Sequence, residues 1–252
     1  MAVGRLAETL GAANTAAGNY DIAVSAPAAT PNGVCVVIVQ GGSTVDNITS
    51  VTYGTSTGAV PLTERRFQAE NTEAGAVWVY WAAGVVFPSG AQTCRIVRAG
   101  TTDIRAAVCP MTCAAGMQIA VDVDSSGVSA SVVNPSWAMT TTDPATVCYE
   151  GIHSGLNTMT STPATNWTLI GWDDIGLTGR GWAYRVMTSA GDALPGWTAA
   201  TADDYVGVSV AFKEAAVSSS NVPIVRRVPR PVEQHTVVGA YAPTTPSTLL
   251  GG

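Results

Sequence analysis

Gly33-Val34-Cys35-Val36-Val37-Ile38-Val39-Gln40 is the stretch that decides the fold. It is apolar without a break, and most of its side chains are β-branched, which fits a pleated surface and stiffens χ1 in a helix. Pro31-Asn32 precedes it and Gly41-Gly42 follows it, so turn residues bound it on both sides. A run this short with no polar alternation reads as a strand buried on both faces or set in a sandwich core.

Working outward, the same grammar repeats. Residues 50–53 and 60–63 flank a Gly- and Ser-rich turn and read as a hairpin. Residues 76–82 form a further apolar run, closed by Pro88-Ser89-Gly90, and residues 93–98 alternate polar with apolar as a half-exposed strand does. Residues 104–109, 118–123, 147–153, 182–188 and 205–212 continue the series, making about ten strands in all. No helical pattern separates successive strands, so parallel βαβ units have no support. The chain is therefore expected to be all-β, an antiparallel β-sandwich of jelly-roll type over residues 30–215. Residues 1–29 form an N-terminal segment in which Ala, Leu and Glu of residues 1–17 suit one short helix ended by Gly18. Residues 216–252 form an extended arm, because five prolines (223, 229, 231, 243 and 246) deny it a regular helix or a central strand.

Composition narrows the function classes. The chain has 252 residues, is 46% hydrophobic and only 12% charged, and carries a net charge of −6. That is too apolar for a disordered chain and too acidic for a general nucleic-acid binder, which needs clustered Lys and Arg. One lysine, Lys213, stands against eleven arginines, a skew that points to a GC-rich source rather than to chemistry. No apolar stretch is long enough to cross a membrane as a helix, and residues 1–10 do not read as a secretory signal. The five cysteines (35, 94, 109, 113 and 148) are odd in number and widely spread, so they read as buried thiols rather than a disulfide framework.

The chemistry-bearing residues are few. His153 lies in Gly151-Ile152-His153-Ser154-Gly155, which has His where a nucleophile elbow needs Ser; adjacent strand residues also point to opposite faces, so His153 and Ser154 make a poor dyad. The other histidine, His235, falls in the arm. Cys109 and Cys113 are spaced like half of a zinc site, with no second pair to complete it. Asp122, Asp124 and Gly127 match the front of a calcium loop, but Val133 stands where the bidentate Glu belongs, and a hairpin turn over residues 124–127 explains the same letters. Asp173-Asp174 and Asp203-Asp204 each begin six residues after a tryptophan, and with Glu150 they are the candidates for a glycosidase carboxylate pair; solvated turns account for them more simply. Trp137, Trp167, Trp172, Trp182 and Trp197 crowd the second half, either to stack on sugar rings or to fill a core that has only three Phe. No catalytic residue, metal set or cofactor site is assigned, and the expectation is a protein that is not an enzyme.

Val51-Thr52-Tyr53-Gly54, its Gly/Ser turn and Val60-Pro61-Leu62-Thr63 resemble a hairpin recurrent in virion proteins of tailed bacteriophages. Residues 166–171, 181–187, 196–198 and 206–213 are similar to the closing strands of the same jelly-roll, lectin-like modules, found in minor tail and head-decorating proteins. The resemblance spans about residues 30–213 and brings no site residues with it. It implies a structural role in the virion, most simply as a minor tail protein, with capsid decoration or binding of a host-surface glycan as alternatives. Other virion proteins and further copies of the chain are then the expected partners. Docking is expected through the arm, at Ile224, Val225, Arg226, Arg227, Arg230 and Tyr241, where apolar side chains and arginines suited to bidentate carboxylate pairing lie together.

Overall fold

Strands account for all of the regular structure in the computed structural model, which describes residues 2–55, 58–70, 72, 75–135, 137–155, 162–163, 166–175, 178–193, 197–198 and 202–217. In chain order they are β1 (Gly4–Arg5), β2 (Thr9–Leu10), β3 (Gly18–Val24), β4 (Gly33–Gly41), β5 (Ile48–Tyr53), β6 (Val60–Glu70), β7 (Gly75–Ala83), β8 (Gln92–Arg98), β9 (Ile104–Thr112) and β10 (Met117–Val132). Then follow β11 (Thr140–Thr141), β12 (Val147–Ser154), β13 (Thr162–Pro163), β14 (Thr168–Ile175), β15 (Thr178–Val186), β16 (Gly191–Asp192), β17 (Trp197–Thr198) and β18 (Asp203–Ala216).

The first nine strands form one antiparallel sheet, ordered β1-β9-β4-β7-β6-β5-β8-β3 with β2 also on β9. It curls, and two features turn it. Strand β6 pairs with β5 through Val60–Leu62 and with β7 from Thr63 onward, with a register shift between Glu64 and Arg66. On the other side the chain runs from β2 on β9, through a bridge between Asn14 and Ile104, into β3 on β8. The enclosed face carries Tyr20, Ile22, Val36, Ile38, Tyr53, Trp78, Ile96 and Ala106, all buried.

The opposite face of β4, β7 and β9 is equally dry. Cys35, Val37, Val39, Val77, Val79, Ala107, Cys109 and Met111 pack there against Val147, Tyr149, Trp182, Val206, Val208, Val210 and Phe212 of a second antiparallel sheet, ordered β10-β18-β12-β15-β14. Strand β4 is thus buried at every position. The far face of the second sheet holds a third apolar cluster, including Trp137, Met139, Cys148, Ile152, Trp167, Trp197 and Tyr205. The antiparallel all-β expectation holds. The sandwich gains a layer, because the first sheet curls over a core of its own.

Two expectations need correction. The short helix over residues 1–17 is replaced by β1 and β2: the bare edge of β9 offers backbone partners, and Leu10 packs in the layer between the sheets. The hairpin turn at residues 124–127 is absent, since Asp124 to Gly127 lie inside the continuous strand β10. Gly127 is needed for space. It pairs with Gly207 on β18, and a Cβ at Gly207 would lie 1.8 Å from the Trp137 ring. Strand β3, which alternates exposed residues with buried apolar ones, was not anticipated; β14 extends the stretch at residues 166–171 that the resemblance marks as a closing strand. The arm residues Ile224, Val225, Arg226, Arg227, Arg230 and Tyr241, with His235, lie outside the described residues.

At Gly151 the two sheets approach closely. A Cβ there would sit 2.5 Å from Val37 Cγ1 and 3.1 Å from both Val39 and Val77. Gly151→Val is expected to lower the urea midpoint sharply, at a cost of about 1–3 kcal/mol or more from overpacking. An unchanged midpoint would contradict this packing.

Candidate functional site

The polar residues that chemistry would need fall into three places. The first is a part-buried ion network at the rim between the sheets, centred on the fully buried Arg180. Arg180, fully buried on β15, donates from Nε to Asp173 Oδ1 at 2.9 Å and lies 2.9 Å from Asp103 Oδ2. Arg105 of β9 donates from Nη1 to the same Asp173 carboxylate at 2.6 Å and from Nε to Gly11 O at 2.6 Å. One carboxylate thus holds two guanidiniums from two sheets. Arginine suits this position because its planar fork reaches several acceptors at once.

His153 is the register partner of Arg180 on β12, and it fills the space above Gly75, where a Cβ would lie 2.0 Å from Nδ1. Burial, reinforced by the Arg180 charge and partly offset by Asp203 and Glu70, pushes its pKa down to about 4, so the imidazole is neutral at pH 7. Ser154 donates to Asp203. Asp203 is the register partner of Val132 and shares a face with Tyr205 in the third cluster, whereas His153 faces the curled sheet. Serine and histidine therefore lie on opposite faces of β12, and no triad forms.

The second place is the tryptophan layer. Trp137, Trp167 and Trp197 are buried in the third cluster, Trp182 is buried between the sheets, and Trp172 on the edge strand β14 is 41% exposed. The core-filling reading holds for four of the five, leaving Trp172 as the one of them in reach of a partner. Trp182 donates from Nε1 to Val37 O at 3.1 Å, and Trp137 donates to Ser209 Oγ at 2.9 Å. Glu150 sits in this layer at 1% exposure, and burial pushes its carboxyl well above the usual range, with Trp197 opposing the shift only in part.

The remaining candidates are dispersed. Asp173 and Asp203 are on opposite faces of the second sheet, and of Asp174 only the backbone position is described. Glu150 and Ser154, the partner of Asp203, are four residues apart on one strand, about 13 Å at the usual rise. Asp122 accepts from Thr142 N at 2.8 Å and pairs with Lys213 at 3.0 Å, and Asp124 binds Arg65 and Arg66, so both acids of the calcium-like stretch have protein partners. Cys109 is buried between the sheets and Cys113 donates to Met117 O at 3.2 Å. Among the described residues no three His, Cys, Asp or Glu converge as a metal site.

The third place is on the solvent face of the curled sheet. Register puts Asp21, Arg95 and Thr52 in one row across β3, β8 and β5. Arg95 donates from Nε and Nη2 to the two oxygens of Asp21, both at 2.7 Å. With Thr93, Gly54, Thr55 and Ala59 they line an open hollow of about 440 Å³. The sequence offered no signal for it beyond alternation. Likewise nothing marked Arg180 except its place between two glycines in an otherwise strand-like run.

Asp173→Asn takes the shared carboxylate from the fully buried Arg180 and is expected to cost about 3 kcal/mol, at the lower end for a broken buried pair because Asp103 still faces Arg180. Asp21→Asn breaks an exposed pair and is expected to cost less than about 1 kcal/mol. Urea denaturation of both variants checks the contrast. His153 also sets a pH dependence. Its folded pKa lies below the ordinary value of about 6.5, so between these values the unfolded chain binds more protons. Stability is expected to fall as pH drops from about 6.5 towards 4, and His153→Gln to flatten that slope. A wild-type urea midpoint constant from pH 7 to pH 5 would refute it.

No family model, no curated protein and no solved structure matches the chain.

Proposed function

We propose that the chain is a non-catalytic structural subunit of a bacteriophage virion, a minor tail protein that displays its β-layers and docks to neighbouring subunits through residues 216–252. One observation carries the non-catalytic part: Glu150, His153 and Ser154 are each 1% exposed and Asp203 is 5% exposed. A substrate cannot reach a nucleophile or an acid–base pair built from these groups without dismantling the layers. The virion assignment is supported by the resemblance of the hairpin at residues 51–63 and of the closing strands. The docking assignment rests on the arm sequence, where apolar side chains recur among prolines and arginines.

A second reading, carbohydrate binding, is favoured by the hollow at Asp21, Arg95, Thr52 and Thr93. It presents hydroxyls, a carboxylate and a guanidinium on a rigid sheet, a donor and acceptor mixture that suits a polyol.

The test is immunogold labelling and peptide mass mapping of purified particles from the phage that encodes the chain. Labelling at the tail is the expected result, labelling at the head would favour capsid decoration, and absence from the particle overturns the proposal. Truncation after Val217 keeps every described strand; it is expected to leave the β-rich circular dichroism intact and to abolish incorporation. Glycan-array binding that is lost in Arg95→Ala would instead support the second reading.

A further inference from the structure

Cys35 on β4 and Cys109 on β9 are directly paired in register. Both are fully buried and both belong to the cluster between the two sheets, so their side chains leave the middle layer on the same face. Directly opposed residues on one face of an antiparallel pair have Cβ atoms about 4.5–5.5 Å apart. The position can be specified further. Gly41 N–H donates to Asp103 O at 3.0 Å on the same two strands, and hydrogen-bonded pairs recur every second residue. Counting back from Gly41 makes Cys35 and Cys109 a hydrogen-bonded pair, with Cα atoms about 5.5 Å apart. Disulfides span Cα separations of about 4.4–6.8 Å and Cβ separations of about 3.5–4.5 Å, so the two cysteines, both free thiols in the structure, have a fitting backbone spacing, and closing a bridge draws their Cβ atoms together by about 1 Å.

The other cysteines are elsewhere. Cys94 faces the curled interior and Cys148 the third cluster. Cys113 follows the end of β9, four residues along the chain from Cys109.

We infer that Cys35 and Cys109 form a cross-linking site, closed by a low-molecular-weight disulfide into a bridge between β4 and β9. In the first step the thiolate of one cysteine attacks a sulfur of oxidised glutathione, forming a mixed disulfide and releasing one reduced glutathione. In the second step the other cysteine displaces the remaining glutathione. Two thiol protons pass to the two released thiolates, the protein sulfurs lose two electrons, and the oxidant gains them. The same burial sets when this happens. It raises both thiols above their ordinary range and leaves no room for a glutathione adduct between the sheets. The bridge therefore forms before the second sheet docks onto β4 and β9, or during its transient opening. Once closed, it is shielded from reductant by the same layer. This inference is independent of the proposed virion role.

The test is to refold the full chain in a glutathione redox buffer and, separately, in dithiothreitol. Maleimide titration in denaturant and non-reducing peptide mapping then read the thiols. Free thiols are expected to fall from five to three, with one linked species containing Cys35 and Cys109. The bridged form is expected to melt about 5–10 °C higher. Cys35→Ser and Cys109→Ser should each abolish the linked species. Should either variant fail to fold, the wild-type peptide map decides alone. Five free thiols after oxidative refolding to the native circular dichroism, or a link through Cys94, Cys113 or Cys148, overturns the inference.

Discussion

Strand β4 has no wet face, and the rest of the described structure follows from that constraint. Its backbone groups have no access to water, so β7 and β9 must pair with it along its length. Each face then needs its own apolar cover. Val34, Val36 and Ile38 obtain it from the curl of the first sheet, and Cys35, Val37 and Val39 obtain it from the second. Fully burying a side chain of this kind contributes about 1.5–3 kcal/mol. The second cover is fastened by a directed contact, the Trp182 indole N–H on the Val37 carbonyl, which takes up acceptor capacity left over from the ladder.

Where apolar contact gives way at the rim of this interface, charge takes over. Arg105 and Arg180 meet at Asp173, and Asp103 stands against Arg180. Such a network contributes modest net stability, because desolvating the ions offsets much of the attraction, yet it penalises any misplacement of one sheet on the other. It also fixes the state of its neighbour. Burial, and after it the guanidinium of Arg180 beside His153, disfavours a positive charge there, so the histidine serves as a neutral space-filler above Gly75. The exposed pair of Asp21 and Arg95 has similar geometry with different consequences: water competes for it, and its groups stay available to a ligand.

The sequence made the strands legible where β-branched residues run together. Residues 33–40, 76–82 and 205–212 declare themselves, and the unbroken apolarity of the first announces burial on both faces. Strand β3 was not legible, because Gly18, Asn19 and Asp21 look like turn chemistry when read alone. Gly127 misled for a related reason. Beside Asp124, Ser125 and Ser126 it reads as a turn, while its role is to make room for Trp137, a residue ten positions away. Contacts of that kind carry no local signature.

By itself, then, the sequence determined the class of the protein: short apolar runs cut by turn residues permit only antiparallel strands, and adjacent residues on a strand cannot share a face, which separates His153 from Ser154. Tertiary structure decided everything that depends on which faces meet. Only stacking a second sheet on β4, β7 and β9 buries Arg180 and lowers the His153 pKa, and only the pairing of β3 and β5 with β8 sets Asp21, Arg95 and Thr52 in one row. The pairing of Cys35 with Cys109 belongs to the same group. Their separation along the chain, from residue 35 to residue 109, says nothing of contact, and a register set by the hydrogen-bond ladder of the middle layer brings them together.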